Sequence, residues 1–177
     1  MNTKLNSLFF SIILITTFSI SSNTCDTNIE VGFSPGNSAH KLILNAIQES
    51  KKSIDIAAYS FTNKTIALAL IDAQQRGIHI RILADKKSNT GKYTALTYLA
   101  NQKIPVKLNS SYIIMHNKFM IIDNKSVETG SFNYTQNASF RNAENIIYIR
   151  NNIIIANKYI KEFNKLWNEG TYAKSMY

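Results

Sequence analysis

One short stretch of this 177-residue chain gathers residue types that do chemistry on phosphate. It runs His116-Asn-Lys118-Phe-Met-Ile-Ile-Asp123 and is followed by Gly130-Ser131-Phe-Asn133. Imidazole is both a nucleophile and a proton carrier near neutral pH, and the lysine ammonium is a compact cation. Side chains two apart in an extended strand share a face, so His116 and Lys118 are predicted to point the same way. Phe119–Ile122 is too apolar for an exposed loop, which predicts a buried strand carrying both groups. Gly130 permits a close backbone approach, and Ser131 and Asn133 add hydrogen-bonding side chains. A His-x-Lys pair alone is commonly surface decoration. With a glycine turn bearing Ser and Asn close behind it, the set reads as an oxyanion cradle beside a nucleophilic ring.

His-x-Lys-x4-Asp followed by Gly-Ser-x-Asn resembles the signature of the phospholipase D superfamily, and each position is filled here by His116, Lys118, Asp123, Gly130, Ser131 and Asn133. Phe33-Ser-Pro35, Ile56-Ala-Ala-Tyr-Ser-Phe-Thr62 and Ala73-Gln-Gln-Arg-Gly77 are similar to stretches of its small, single-motif branch, so the resemblance runs through residues 29–167. That branch holds secreted bacterial nucleases and small secreted phospholipase D proteins of intracellular bacteria. The sequence is more similar to the latter, which suggests a virulence role.

The resemblance implies phosphodiester cleavage through a covalent phosphohistidine, with neither metal nor other cofactor. His116 would be the nucleophile, splitting one hard displacement into two easier ones. Lys118 and Asn133 would neutralise and orient the nonbridging oxygens, with Ser131 assisting. Glu144 would accept the imidazole N–H and so set its tautomer. Asp123 completes the motif and is a candidate catalytic group, although its place in a turn favours fixing the hairpin. No cage of hard carboxylate ligands lies near the motif, in keeping with metal independence.

Leaving-group expulsion needs an acid, and the resemblance implies that a second motif histidine provides it. Larger members carry two motifs in one chain, whereas this chain has one. Its other histidines are poor substitutes: His40 falls in the first predicted helix, and His79 alternates with Ile78 and Ile80 on a different strand. The expectation is a C2 homodimer with one composite active site on the axis. One His116 must be neutral to attack and the other charged to donate. Two close imidazoles titrate as a coupled pair, so the rate is expected to be bell-shaped in pH.

The elements that must position these residues can be read from periodicity. Ile29–Phe33 alternates as a strand and stops at Ser34-Pro35-Gly36. Asn37 or Ser38 can cap a helix that buries Leu42, Ile43, Ala46 and Ile47. Residues 53–58 read as a strand, Asn63 caps a helix closed by Arg76-Gly77, and 78–83 reads as a third strand. Residues 92–102 are predicted helical and 106–108 a short strand. Strands at 113–115 and 118–122 are then predicted to flank His116-Asn117, with a hairpin turn at Asp123-Asn124-Lys125, strands at 126–129 and 146–149, and a helix over 152–168 burying Ile153, Ile160, Phe163 and Trp167. Alternating β and α units in the first half predict an α/β fold with a mixed, largely parallel sheet flanked by helices.

Composition limits the rest. The chain carries +9 with 45% hydrophobic residues, which excludes a wholly disordered protein, and its one cysteine excludes an intrachain disulfide framework. Residues 1–24 have the layout of a signal peptide: Lys4, an apolar run from Leu8, then Ser21-Ser-Asn-Thr24. Residues 25–177 would form a single secreted domain, periplasmic or extracellular, with Cys25 a minor candidate for lipid attachment. Cleavage there removes only Lys4 among charged groups and leaves +8 over 153 residues, which favours an anionic partner. That partner is a phospholipid surface or a nucleic acid. Lys86, Lys87 and Arg141 are candidates to line a nucleic-acid path, and no lipid-inserting loop stands out. A silent anion-binding or adhesion protein is the reading from outside enzymology.

Overall fold

A computed structural model of the chain describes residues 27–91 and 94–173; the predicted signal peptide, Cys25 and the first residues of the 92–102 helix lie outside them. The strands are β1 (Asn28–Ser34), β2 (Ser53–Ala58), β3 (His79–Asp85), β4 (Val106–Asn109), β5 (Phe119–Ile122), β6 (Ser126–Gly130), β7 (Glu144–Arg150) and β8 (Thr171–Tyr172). The helices are α1 (Ser38–Glu49), α2 (Lys64–Gln75), α3 (Ala95–Asn101), α4 (Gln136–Phe140) and α5 (Ile153–Glu169). Local chemistry explains their limits. Asn63 caps α2 by accepting from Ile66 N at 3.1 Å, and Asn152 caps α5 by accepting from Ile155 N at 3.0 Å. Gly77, at φ 87°, closes the α2 connection in the left-handed conformation expected of it.

The strands form one mixed sheet in the order β1-β7-β6-β5-β2-β3-β4-β8. Only the β2–β3 and β3–β4 ladders are parallel; the other neighbouring pairs are antiparallel. The expectation of a largely parallel sheet is corrected accordingly. The βαβ rule holds for β2, β3 and β4, but β1 does not lie beside β2. It pairs at the far edge with β7, and the β5–β6 hairpin inserts between them.

Pleat parity divides the core. Met120 and Ile122 of β5, with Ile54 and Ile56 of β2, pack with α1 and α2. Phe119 and Ile121, with Ala57 and Leu83, pack against Phe163, Leu166 and Trp167 of α5. Ile153 departs from the prediction and is 56% exposed at the start of α5. Among the described residues no helix is long and apolar enough to cross a membrane.

Candidate active site

The register brings the motif to one rim of the sheet. Ala57 near the end of β2 pairs with Phe119 at the start of β5, Phe119 pairs with Thr129, and Gly130 at the end of β6 pairs with Ile146 near the start of β7. Gly130 is required there: a Cβ would stand 2.2 Å from the Asn145 carbonyl oxygen, so only glycine lets β6 and β7 meet so closely.

His116 and Lys118 precede β5 in irregular chain. The predicted strand at 113–115 does not form, and β5 starts one residue after Lys118. Both side chains nevertheless gather at one ring, that of Tyr59. The Tyr59 and His116 rings meet edge-on at 4.5 Å, and the Lys118 ammonium lies 5.3 Å from the Tyr59 centroid. Lys118 Nζ also donates to the His116 carbonyl at 2.8 Å. His116 is exposed, whereas Lys118 is 8% exposed. Burial pushes the Lys118 ammonium below its ordinary pKa, and the negative field of Glu144 opposes that shift.

Burial also aims Ser131 and Asn133. Phe132 and Tyr134, on either side of Asn133, are 1% and 0% exposed. Fixing alternate residues in the core turns Ser131 and Asn133 the other way. Tyr134 is held by its hydroxyl, which donates to buried Glu128 at 2.8 Å, and by its carbonyl, which accepts from Thr62 N and Asn63 N. Burial pushes the Glu128 carboxyl up to about 8, so it sits in the core largely as a neutral acid. The Asn133 Oδ1 atom is buried without a hydrogen-bond partner. Ser131 Oγ donates to Glu144 Oε2 at 2.6 Å, and Asn142 Nδ2 donates to Oε1 at 3.0 Å. In this chain Glu144 is thus bonded to Ser131 and Asn142; its predicted bond to the His116 ring is not made.

Asp123 stands elsewhere. Its carboxylate accepts from the backbone N–H groups of Lys51, Lys52 and Ser53 at 2.7–3.1 Å, tying the β5–β6 turn to the start of β2 at the opposite rim. It occupies the left-handed region at φ 53°, where aspartate is tolerated better than most residues. Asp123→Ala should therefore lower stability by about 2–4 kcal/mol, from the lost acceptor and the added backbone strain. Specific activity measured well below the melting temperature should be retained. Thermal melts beside initial rates check this, and loss of rate in a folded variant would return Asp123 to the site.

The remaining histidines are engaged elsewhere. His40 is buried in α1, 3.0 Å from Ser139 Oγ, where desolvation lowers its pKa. His79 opens β3 opposite Ser53 and lines a cleft of about 570 Å³ at the opposite rim. Lys86, Lys87 and Arg141 are exposed. Three further positioning residues lie outside the His-x-Lys and Gly-Ser-x-Asn motif. Asp85, 2% exposed, accepts from Met115 N at 2.9 Å and so fixes the approach to His116. Asn89 donates to the Tyr59 carbonyl and accepts from Phe61 N, holding Tyr59 in place. Tyr59 itself could have been suspected, because it follows β2 at the carboxyl rim of parallel strands, where open α/β sheets place ligands.

Comparison with known proteins agrees with this geometry. Residues 43–167 match the family described as cardiolipin synthase, PLD-like domain. A phospholipase D from Rickettsia prowazekii is 42% identical over 123 residues, 70% of this chain and 60% of that protein, so the chain spans about 60% of that relative's length. A mitochondrial cardiolipin hydrolase from Xenopus laevis is 30% identical over 132 residues, 75% of this chain and 62% of that one. Among solved structures, Nuc from Salmonella typhimurium, a phospholipase D family member, matches with a TM-score of 0.83 at 40% identity, covering 85% of this chain and 100% of that one. The family match includes every motif residue that the fold carries to this rim, and the chain belongs to the phospholipase D superfamily.

Proposed function

We propose that the chain is a secreted phospholipase D that hydrolyses phosphatidylcholine-type lipids to phosphatidic acid and a free head group, working as a homodimer. The similarity to the Rickettsia phospholipase D carries the choice of a lipid. His116 attacks phosphorus, the bond from phosphorus to the head-group oxygen breaks, and an acid gives that oxygen its proton. Water then attacks the phosphohistidine, releasing phosphatidic acid and freeing the ring. Lys118 and Asn133 stabilise the negative charge that gathers on the nonbridging oxygens. Ser131 bridges that cradle to Glu144. Glu144 orients an imidazole only by a rotamer change that exchanges its bonds to Ser131 and Asn142 for one to the ring. The acid is His116 of a second copy, because His40 is buried among helices and His79 stands at the other rim.

A second reading, a metal-independent nonspecific endonuclease, is favoured by the +9 charge, by exposed Lys86 and Lys87 just past β3, and by the similarity to Nuc. Phosphate contacts alone would supply sequence-independent affinity. The two readings separate in one assay with chelator present: choline release from phosphatidylcholine vesicles beside cleavage of duplex DNA. Lipid hydrolysis in chelator is the expected result. DNA cleavage with intact vesicles would replace the lipid reading by the nuclease one.

A further inference from the structure

The segment Ser110–Ile114 leaves β4 at the motif rim and returns at Met115, just before His116. Its ends are pinned. Asn109, 1% exposed, donates to the Leu166 carbonyl at 3.2 Å and accepts from Ser111 N at 2.9 Å. Met115 N is held by Asp85 at 2.9 Å. Tyr112 is tied to α5 through its hydroxyl, which donates to Glu169 at 3.1 Å, and lies 5.8 Å from the Lys165 ammonium. Between these anchors two adjacent isoleucines face outward, Ile113 at 86% and Ile114 at 50% exposure. Lys87 Nζ donates to the Ile113 carbonyl at 3.3 Å, and exposed Lys86 is its neighbour. Lys86, Lys87 and Lys165 stand on this side against two acids, Glu169 facing Tyr112 and Glu162 at 3.9 Å from the Lys165 ammonium.

We infer that Ser110–Ile114 is a membrane-seating loop: Ile113 and Ile114 enter the interfacial layer of an anionic bilayer while the lysines meet its phosphates. A fixed loop presenting branched apolar side chains beside lysines has the chemistry of an interfacial anchor. The dimensions agree. Interfacial apolar elements sit about 5–10 Å into the head-group boundary. The two residues from Ile114 to His116 span at most about 7 Å. Seating the isoleucines therefore holds the exposed imidazole at phosphate depth.

The inference deepens the lipid reading and rests on it for the substrate, but the docking itself is read as vesicle binding, separately from head-group release. Ile113→Asp is compared with the unsubstituted chain in sedimentation with vesicles of equal phosphatidylcholine and phosphatidylglycerol. The expected result is a partition coefficient lowered about tenfold or more, since burying one branched apolar side chain is worth at least that factor. Hydrolysis of bis(p-nitrophenyl) phosphate, a soluble diester, should be unchanged and shows that the fold and site are intact. Equal partitioning of both proteins would overturn the inference. So would conversion of a dimer to monomers by Ile113→Asp in analytical ultracentrifugation, which would assign the loop to a second copy of the chain. Vesicle binding through Ile113 without head-group release would uphold the loop and remove the lipid substrate.

Discussion

Mixing unsubstituted subunits with His116→Ala subunits should lower activity as the square of the unsubstituted fraction. At equal proportions about one quarter of the activity remains if sites are composite on a two-fold axis, against about one half if each chain works alone. The argument begins with what one chain holds. Among the described residues its motif rim presents one histidine, one buried lysine and the Ser131–Asn133 arm with Glu144, while His40 is engaged with Ser139 and His79 lies opposite Ser53. Attack needs a neutral ring, and departure of an alkoxide needs an acid. Losing either role is severe, because positioned general acid–base action contributes about 10²- to 10⁴-fold and nucleophilic attack has no substitute. Heterodimers should therefore be nearly silent. The same pairing predicts a bell-shaped pH–rate profile for the unsubstituted dimer, since two facing imidazoles on one phosphate release their protons in separate steps. A linear fall on mixing, after subunit exchange is verified, would exclude the shared site.

Much of this site was legible in the sequence, for a physical reason. Phosphate chemistry needs particular residue types at short spacing, and His116, Lys118, Ser131 and Asn133 lie on the entry to one hairpin and its exit. The turn at Asp123-Asn124 was equally local, and both residues take positive φ. Misreadings arose where long-range contacts decide. Ile113–Met115 has the composition of a strand, yet only Met115 is buried; its N–H is captured by Asp85, thirty positions earlier. That capture turns two isoleucines outward and makes the apolar loop that the sequence did not reveal. The β1–β7 pairing likewise joins Asn28 to Arg150, a partnership no local period encodes. Glu144 was legible as a site residue, but its bond to Ser131 depends on β6 and β7 meeting at Gly130.

Lys118→Met should remove about 10²- to 10³-fold from kcat, the usual loss of one preorganised oxyanion partner, with a smaller change in KM. It should do so without unfolding the chain. The ammonium is held below its ordinary pKa by burial, so the folded protein bears a cost for keeping a cation there. Methionine keeps an unbranched stem beside Tyr59 and discards that cost, so the melting temperature should hold or rise while the rate collapses. A purely structural lysine would behave in the opposite way, losing stability and leaving the rate per folded molecule intact. Lys118→Arg is the second arm. It preserves the charge, but a planar guanidinium cannot occupy the place of a compact ammonium between the His116 carbonyl and the Tyr59 ring. Arginine should therefore fail to restore the rate, which distinguishes placed charge from charge alone. Because the Lys118 pKa is lowered, the cation is lost on the alkaline side sooner than from a free lysine. Variants of Glu144 that remove its negative field should move that limit to lower pH still. Retention of kcat in a folded Lys118→Met protein would mean that the buried cation serves the fold and that phosphate is stabilised elsewhere.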